Sequence, residues 1–368
     1  MIKKNEKLLI PLIAILFGVL VGCLILIISG KNVFDLVQGL IKALVGFDLY
    51  KPELGINTRY PGEFLVSAMP ITLTGLAIGF AYRCGMFNIG AEGQVIMGSL
   101  VSCSLAILVP MPPVIGVIVC LSAGALAGAL WAFIPGILKC NFNISEVVTG
   151  IMLNYTALFG ANFFLKALPG SSNQRTIDIP DSTRLQSSLL AGLTGNSRLH
   201  WGIIFVALAV FVYWFIIEKT SFGYSLRATG FNKEGARYAG IKVNKSIILS
   251  IMISGALAGL AGALVVQGTF GYGRIMTAAD NYGFDGISVA LVGATNALGI
   301  VFSGMLFALL KVSQPMLQIN GIPREIGEII SSSIVFFVAL QYAIKLLLTK
   351  FNNRKNALKE GGNVEWIY

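Results

Sequence analysis

One apolar stretch near the start of the chain decides its fold class: 8-LLIPLIAILFGVLVGCLILIIS-29. It contains no charged residue and is preceded by Lys3, Lys4 and Lys7. About 20 consecutive apolar residues are needed for a helix to cross the hydrocarbon core of a bilayer. A signal peptide has a shorter apolar core followed by a small-residue cleavage site, and neither is evident here. The stretch therefore predicts an uncleaved first membrane span.

The composition places the whole chain in the same class. Of the 368 residues, 55% are hydrophobic and only 12% are charged, whereas soluble domains carry about 25% charged residues. The five cysteines lie in or beside apolar segments and form no Cys-x-x-Cys pair, so they indicate membrane-core residues rather than a disulfide framework or a zinc site. The predicted fold is all-α, a polytopic integral membrane protein.

Hydropathy predicts about ten transmembrane helices, some of them short or broken. After the first, they cover 64–83, 87–109, 114–138, 144–165, 201–217, 246–267, 284–296, 299–316 and 327–348. The eighth and ninth form a pair of short helices joined by a tight turn at 295–299. Glycine pairs at helical spacing (Gly124 with Gly128, and Gly255 with Gly259 and Gly262) predict close helix packing rather than a binding site.

The basic residues orient these spans. With both termini in the cytoplasm, 16 of the 27 lysines and arginines fall inside, six of them in the loop 219–245. This asymmetry follows the positive-inside rule and accounts for the net charge of +10. No basic stripe is interleaved with aromatic residues, so nucleic-acid binding is not indicated. If 284–316 were one span, the basic tail (Lys345, Lys350, Arg354, Lys355, Lys359) would face outside, against the rule.

Two loops are long enough to bind partners. The outer loop 167–200 is polar and turn-rich, and it is either a docking surface or a plain connector. The inner loop 219–246 is basic and contains a helix-compatible piece at 232–239, with Gly230 and Gly240 as its predicted boundaries. A short helix there would suit a cytoplasmic partner; the alternative is a solvated basic loop.

Several kinds of chemistry are missing from the chain. It contains no Gly-x-x-x-x-Gly-Lys-Ser/Thr loop to hold a phosphate, no His-Glu-x-x-His and no Gly-x-Ser-x-Gly. The single histidine, His200, makes a His-rich metal site or a Ser-His-Asp hydrolase improbable. We therefore expect a chain without a catalytic residue, metal or cofactor, in which energy for any work comes from a partner or an ion gradient.

Charged residues inside the predicted spans are the candidates for function, because each costs about 2.5–3.5 kcal/mol at the centre of a span. They are Glu92, Glu146, Asp285 and Lys311. Helical spacing groups polar and small residues into three faces: Asn88, Glu92 and Ser99; Glu146, Gly150, Asn154 and Ala161; and Asp285, Ser288 and Thr295. These faces predict a polar pathway between helices. The alternative is that they are helix caps and interhelical hydrogen bonds.

The stretch 86-MFNIGAEGQVIMGS-99 places Glu92 and Gln94 among glycines. In a continuous helix Glu92 would lie about 8 Å into the inner half of the membrane. The glycines also permit a broken helix whose exposed N–H groups face a substrate. The sequence leaves both arrangements open.

Longer motifs resemble a known family. The segments 220-TSFGYSLRATGFN-232 and 234-EGARYAGI-241 resemble the cytoplasmic coupling segment of ATP-binding-cassette importer permeases, in the branch that serves ribose, branched-chain amino acids and nucleosides. The segment 282-YGFDGISVALVGATNALG-299 resembles the Asp-containing segment of that branch, with Ala294 where a second glycine is common. The motifs 87-FNIGAEGQ-94 and 145-SEVVTGIMLNY-155 resemble the nucleoside-type (guanosine or purine) permeases.

The resemblance implies a permease subunit that forms the translocation pathway for nucleosides in a bacterial inner membrane. It implies a membrane domain over 8–348 with a coupling loop at 219–245, flanked by cytoplasmic segments 1–7 and 349–368. Implied partners are ATP-binding subunits that use the ATP, a second related permease and an extracytoplasmic substrate-binding lipoprotein. The candidate pathway residues are Asn88, Glu92, Gln94, Glu146, Asn154, Asp285 and Ser288. The candidate coupling residues are Arg227, Gly230, Asn232, Glu234, Gly235, Ala236, Arg237 and Gly240.

Two rival functions stay open at this point. The same machinery could import a simple sugar such as ribose. An ion-coupled secondary transporter could instead use Glu92, Glu146 or Asp285 as proton carriers, but it would need no partner helix in the loop 219–245.

Overall fold

The computed structural model describes residues 6–340. The first five residues, the end of the tenth predicted span (341–348) and the basic tail 349–368 lie outside the described residues. Within the described part, residues 6–33 and 322–340 belong to one compact unit, and Phe34–Gly321 forms a second, larger one.

Helices dominate the described chain. In chain order they are α1 Glu6–Ile28, α2 Val33–Val45, α3 Arg59–Arg83, α4 Ala91–Leu108, α5 Ile115–Phe142, α6 Glu146–Lys166, α7 Ser188–Leu193, α8 Gly202–Lys219, α9 Ser221–Phe231, α10 Lys233–Tyr238, α11 Val243–Leu264, α12 Tyr282–Val292, α13 Ala297–Ile319 and α14 Glu325–Ala339. A π-helical segment, Val265–Phe270, continues α11. The strands β1 (Arg175–Asp178) and β2 (Tyr272–Arg274) pair antiparallel, and short 3₁₀ turns occupy Pro52–Leu54 and Asp181–Thr183.

The helices confirm the predicted all-α membrane fold. Among residues 6–340, seven are long and apolar enough to cross a bilayer, namely α3, α4, α5, α6, α8, α11 with its π-helical extension, and α13. Shorter apolar helices cover Ile15–Ile28 within α1 and Tyr282–Val292. The last predicted span, 327–348, begins within α14 and ends beyond the described residues. A helix therefore lies at each of the ten predicted spans.

Two predicted span boundaries are wrong. The helix expected from residue 87 begins only at Ala91, after a turn over residues 84–90 in which Gly85 has φ +74°. The expected pair of short helices contains only one, because α12 has 11 residues whereas α13 has 23. Glycine explains the first error, because hydropathy does not register a turn that glycine permits.

The turn between α12 and α13 was predicted and is present, two residues earlier than expected. Ala294 and Thr295 both have positive φ, at 49° and 53°. The backbone reverses so sharply there that a Cβ on Gly293 would lie 2.6 Å from the nitrogen of Ile300. The two helices therefore leave the turn in direct backbone contact.

The glycine pairs pack helices closely, as predicted. A Cβ on Gly128 of α5 would lie 2.7 Å from the Cα of Gly259 on α11, and a Cβ on Gly98 of α4 would lie 2.5 Å from the same Cα. Three helices thus cross at Gly259 with their backbones in contact, because small residues allow this approach. In the smaller unit, Gly18 and Gly22 of α1 pack against Ile334 and Ile330 of α14, an unpredicted glycine pair with the same role.

Ion pairs join the two ends of α3 to the region of α8 and α9 in the larger unit. Arg83 at the end of α3 contacts Glu218 at the end of α8 at 2.8 Å, and Arg227 of α9 contacts the same carboxylate at 2.7 Å. Near the other end of α3, Glu63 contacts Arg198, which precedes α8, at 2.7 Å. Each end of α3 is therefore tied to the neighbouring end of α8, which agrees with the predicted topology, in which these two ends lie on the same side of the membrane.

Candidate functional site

Glu92 lies in the first turn of α4 and is 1% exposed. One carboxylate oxygen accepts a hydrogen bond from the backbone N–H of Asn281 at 3.0 Å, and the other accepts from that of Gly283 at 2.5 Å. These N–H groups belong to the start of α12, where a helix leaves its donors unsatisfied and favours negative charge. Glu92 therefore caps a neighbouring helix across the fold.

Gly283 is required for this arrangement. A Cβ at Gly283 would overlap the backbone nitrogen of Glu92 and lie 2.7 Å from its Cα. Asn281, which precedes α12, has a left-handed φ of 65°. The start of α12 is therefore held against the start of α4 by both shape and hydrogen bonding.

The amides of the same stretch connect α4 to two further helices. The Nδ2 of Asn88 donates to Gln94 Oε1 at 2.8 Å and to Ser254 Oγ of α11 at 2.7 Å. From α6, the Oδ1 of Asn154 accepts from the N–H of Gly93 at 2.8 Å, and its Nδ2 donates to the carbonyl of Ile89 at 3.0 Å. We call residues 88–94 with these partners the four-helix junction, because it joins α4, α6, α11 and α12.

The cavity beside the junction is small. Its volume is about 30 Å³, and its walls include Glu92, Ser99, Asp280 and Tyr282. That is roughly the volume of one water molecule in the liquid. Glu92 therefore faces a space that cannot hold a metabolite in this conformation.

A much larger cavity lies near the start of α3. Its volume is about 580 Å³. Its walls come from α2, α3, the π-helical end of α11, the start of α12 and α13, and include Tyr60, Glu63, Ser67, Thr269, Tyr282 and Lys311. We call it the α3 cavity. Tyr282 also lines the small cavity beside Glu92, so it lies between the two spaces.

Lys311 and Asp285 form an ion pair at 2.8 Å between α13 and α12. The ammonium also lies 4.5 Å from the centre of the Tyr282 ring. Arg274, after the π-helical segment, pairs with Asp280 just before α12. These contacts surround the start of α12 with paired charges.

Two of the three predicted polar faces differ from the prediction. Thr295 lies in the turn beyond the end of α12, so it does not share a helical face with Asp285 and Ser288. Asn88 precedes α4, and its side chain contacts Ser254 rather than extending a face of that helix. Glu146 begins the third face as expected, but its carboxylate pairs with Lys139 at 2.9 Å across the turn between α5 and α6.

The predicted short helix in the inner loop is confirmed as α10, Lys233–Tyr238. The side chain of Asn232 caps it by accepting from the N–H of Gly235 at 3.0 Å. Arg237 pairs with Glu234 in the same helix at 3.0 Å, Ala236 is buried and Gly240 follows with a φ of +80°. The start of α10 is thus defined by the cap of Asn232 and not by Gly230, the boundary that the sequence predicted.

Gly230 is not the boundary that the sequence predicted. It lies within α9, a helix that the sequence analysis did not predict and that also carries Arg227. A Cβ on Gly230 would overlap the carbonyl oxygen of Arg83 and lie 3.0 Å from the nitrogen of Gly85. α9 therefore rests directly on the turn that leads from α3 to the four-helix junction.

His200 lies just before α8 and is buried, with 1% exposure. Its Nδ1 accepts a hydrogen bond from the N–H of Gly202 at 3.1 Å. Burial, with the nearby charge of Arg198, lowers the pKa of His200 to about 4, so the ring is neutral at pH 7. Among the described residues, no group of three or more His, Cys, Asp or Glu side chains could hold a metal ion.

Comparison with known proteins decides the family. The family described as the permease component of the branched-chain amino acid transport system matches residues 60–340. The chain belongs to this permease family. It is 40% identical over 355 residues to the guanosine ABC transporter permease protein NupP of Bacillus subtilis, covering 96% of this chain and 99% of that protein.

Two further relatives of this permease carry names that state different substrates, a nucleoside and a sugar. It is 36% identical to the nucleoside ABC transporter permease protein NupB of Lactococcus lactis, with 94% of each chain covered. It is 30% identical to a glucose ABC transporter permease protein of Haloferax volcanii, with 83% of each covered. No solved structure matches the permease.

The fold brings some of the predicted pathway residues together and separates others. Asn88, Glu92, Gln94 and Asn154 meet in the four-helix junction. The remaining three lie apart from it: Glu146 pairs with Lys139, Asp285 pairs with Lys311, and Ser288 lies one turn further along α12.

The sequence did not predict the α3 cavity, although Lys311, one of its charged candidates, lines it. Tyr60, Glu63 and Ser67 repeat at helical spacing and form one wall of it. That repeat was a usable signal, but Glu63 stands just before the predicted span and was counted with the loop. Phe270 and Tyr282 also line the cavity, but eleven residues separate them in the sequence, so no local pattern indicated that they lie in one wall.

Proposed function

We propose that this permease forms the translocation pathway of an ATP-driven importer for nucleosides. The observation that carries the proposal is the 40% identity to the guanosine permease over nearly the whole of both chains. The glucose permease is more distant at 30%, so a sugar is the second candidate substrate. The branched-chain amino acid wording of the family describes its wider membership.

The proposed energy source is ATP hydrolysed on separate subunits at the cytoplasmic face, with no cofactor in this chain. α9 and α10 support it, because Phe231 and Tyr238 are each 93% exposed beside the paired charges of Glu234 and Arg237. Exposed aromatic side chains on a short helix form a surface to which an ATP-binding subunit can bind. The proposed coupling residues are the eight given above, from Arg227 to Gly240.

The remaining partners and the orientation complete the proposal. The permease pairs with a second, related permease and receives substrate from an extracytoplasmic binding lipoprotein. Residues 8–348 form the membrane domain, which lies in a bacterial plasma membrane, and the segments 1–7 and 349–368 are cytoplasmic. The excess of basic residues on one side supports this orientation.

Uptake into proteoliposomes tests the proposal directly. The permease, co-purified with its partner subunits, is reconstituted and offered labelled guanosine, ribose or glucose, with and without ATP. We expect guanosine uptake that requires ATP and resists uncoupling of the proton gradient. Uptake of sugar alone would favour the second candidate, and uptake by the purified chain from a proton gradient would contradict an ATP-driven importer.

A further inference from the structure

The α3 cavity has the size and depth of a small-molecule site. Its volume of about 580 Å³ falls in the range of about 300–1,000 Å³ that such sites occupy. Val66 on its wall is 2% exposed and Thr269 is 8% exposed, whereas Ile319 at the rim is 82% exposed. The cavity therefore reaches from an open mouth to a well-buried interior.

Hydroxyl groups on its walls are available to a ligand. Within residues 6–340, Ser67, Thr269 and Tyr282 make no side-chain hydrogen bond, although all three line the cavity. Elsewhere in the same unit, Thr74 bonds the carbonyl of Pro70 and Ser303 bonds that of Val289, so the buried hydroxyls of these two residues are engaged. The unengaged groups can donate to and accept from the hydroxyls of a sugar.

An aromatic ring stands at a fixed position in the wall. Tyr282 lies between Asn281 and Gly283, the two residues whose N–H groups the Glu92 carboxylate holds. Lys311 contacts the ring at 4.5 Å. Among the described residues Tyr282 forms no ring contact with Tyr60 or Phe270, which line the same cavity. Because the Nζ of Lys311 lies over one face of the ring, a flat ligand stacks on the opposite face, where it displaces no aromatic neighbour.

The charges around the cavity are mostly neutralised. Lys311 pairs with Asp285 at 2.8 Å, Lys42 with Asp48 at 2.7 Å and Arg198 with Glu63 at 2.7 Å. Of the four basic residues in the wall, Arg59 alone has no ion pair within the described part of the chain. Polar walls whose charges are already paired favour a neutral, hydroxylated ligand over a phosphorylated one.

We propose that the α3 cavity binds an uncharged nucleoside during transport, with the base stacked on Tyr282 and the sugar hydroxyls bonded to Ser67 and Thr269. This inference rests on the proposed function and adds the location and chemistry of the site. It also gives Glu92 a positioning role, since its hydrogen bonds fix the segment that carries the stacking ring.

Protection of an introduced cysteine tests binding without depending on transport. Val312 lines the cavity, and Val312→Cys is made in the full chain and purified with its partner subunits in lipid nanodiscs. Labelling by a maleimide is measured against the parent protein, which corrects for the five native cysteines. We expect guanosine to slow labelling in a saturable manner, and guanosine monophosphate and ribose to require at least tenfold higher concentrations.

Second-site variants of Val312→Cys then assign the contacts. Base stacking on an aromatic side chain contributes about 1–3 kcal/mol, so Tyr282→Leu should raise the half-protecting guanosine concentration about tenfold or more. Tyr282→Phe keeps the ring and should restore protection to within about twofold. Ser67→Ala should raise the concentration severalfold. Tyr155→Leu and Ser104→Ala, which alter α6 and α4 away from the cavity, serve as matched controls and should change nothing.

The outcomes separate the site from the function. If the parent complex imports guanosine but guanosine never protects Val312→Cys, or protects all variants equally, the site is wrong and the proposed function stands. If the parent complex imports no nucleoside and no protection occurs, both fail. Protection without import supports the site and contradicts the importer. Equal protection by guanosine monophosphate would overturn the selection for an uncharged ligand.

Discussion

The carboxylate of Glu92 owes its place in the membrane to two backbone donors on another helix. Both of its oxygens accept N–H groups at the start of α12. The sequence left two roles open for this residue, on a polar pathway or in a helix cap, and the hydrogen bonds favour the cap, which braces the start of α12 against α4. The energetic reason is that an uncompensated carboxylate in a span is costly, whereas one that satisfies a helix N-terminus is partly compensated.

Replacing Glu92 by Gln tests this role. One oxygen becomes an NH₂ group that cannot accept from the facing N–H, and an unsatisfied buried donor costs about 1–3 kcal/mol. We expect normal membrane insertion, a lower thermal midpoint in detergent and faster amide hydrogen exchange at residues 281–285. Import should fall as well, because the ring of Tyr282 is released.

Glu53→Gln is the matched control, since Glu53 is exposed in the segment between α2 and α3. It should leave stability, exchange and import unchanged. Unaltered exchange at 281–285 in Glu92→Gln would contradict the brace, and full import would remove Glu92 from the transport mechanism.

At the scale of elements, α9 connects α10, the helix proposed to face the cytoplasm, to the membrane helices. Gly230 of α9 touches the turn at Arg83–Gly85, and the next residues form the four-helix junction. The side chain of Arg83 also donates to the carbonyl of Thr295, in the turn between α12 and α13, at 3.3 Å. A displacement of α9 would therefore move both ends of α12, the helix whose start Glu92 holds. The contact at Gly230 leaves no open space to absorb such a displacement.

Gly230→Ala should uncouple ATP hydrolysis from import. The added methyl group would overlap the carbonyl of Arg83, so α9 must shift away from the turn. We expect the ATP-binding subunits to remain bound while import per ATP hydrolysed falls about tenfold, which requires only about 1.4 kcal/mol of lost coupling.

Gly160→Ala is the control, because a Cβ at Gly160 of α6 meets nothing within 4 Å. It should import normally. If Gly230→Ala also retains the normal ratio of import to hydrolysis, the contact between α9 and the Arg83 turn does not transmit the motion.

At the scale of the whole molecule, the proposed topology of ten spans with both termini in the cytoplasm predicts which loops face outside. A cysteine at Asn173, exposed in the loop between α6 and α7, should react with an impermeant maleimide added to intact cells. Lys233→Cys in α10 and Leu298→Cys at the start of α13 should react only after permeabilisation. Labelling of Leu298→Cys from outside would show that the turn between α12 and α13 faces outside, contrary to the proposed topology. A cysteine placed in the tail tests whether the number of spans is even, as proposed, or odd.

Much of the architecture could be predicted because the membrane makes it a local property. A backbone in hydrocarbon must satisfy its own hydrogen bonds, so apolar length alone predicts helices. Helix ends were harder: Ala91 begins α4 four residues late, and α13 runs on to Ile319. Of the seven predicted pathway residues, Asn88, Glu92, Gln94 and Asn154 meet, because polar groups within spans must find partners, whereas Glu146, Asp285 and Ser288 lie elsewhere.

The sequence by itself determined that this is an all-α polytopic membrane protein and, through its motifs, the family to which it belongs. Only the tertiary structure decided what the buried polar groups do. Glu92 and Asn281 are 189 residues apart, and Lys311 and Asp285 lie on different helices. The physical reason is that hydropathy and charge act on each segment separately, whereas a buried carboxylate is stabilised by whichever donors packing brings to it. The α3 cavity arises in the same way, from six segments that are far apart in the sequence.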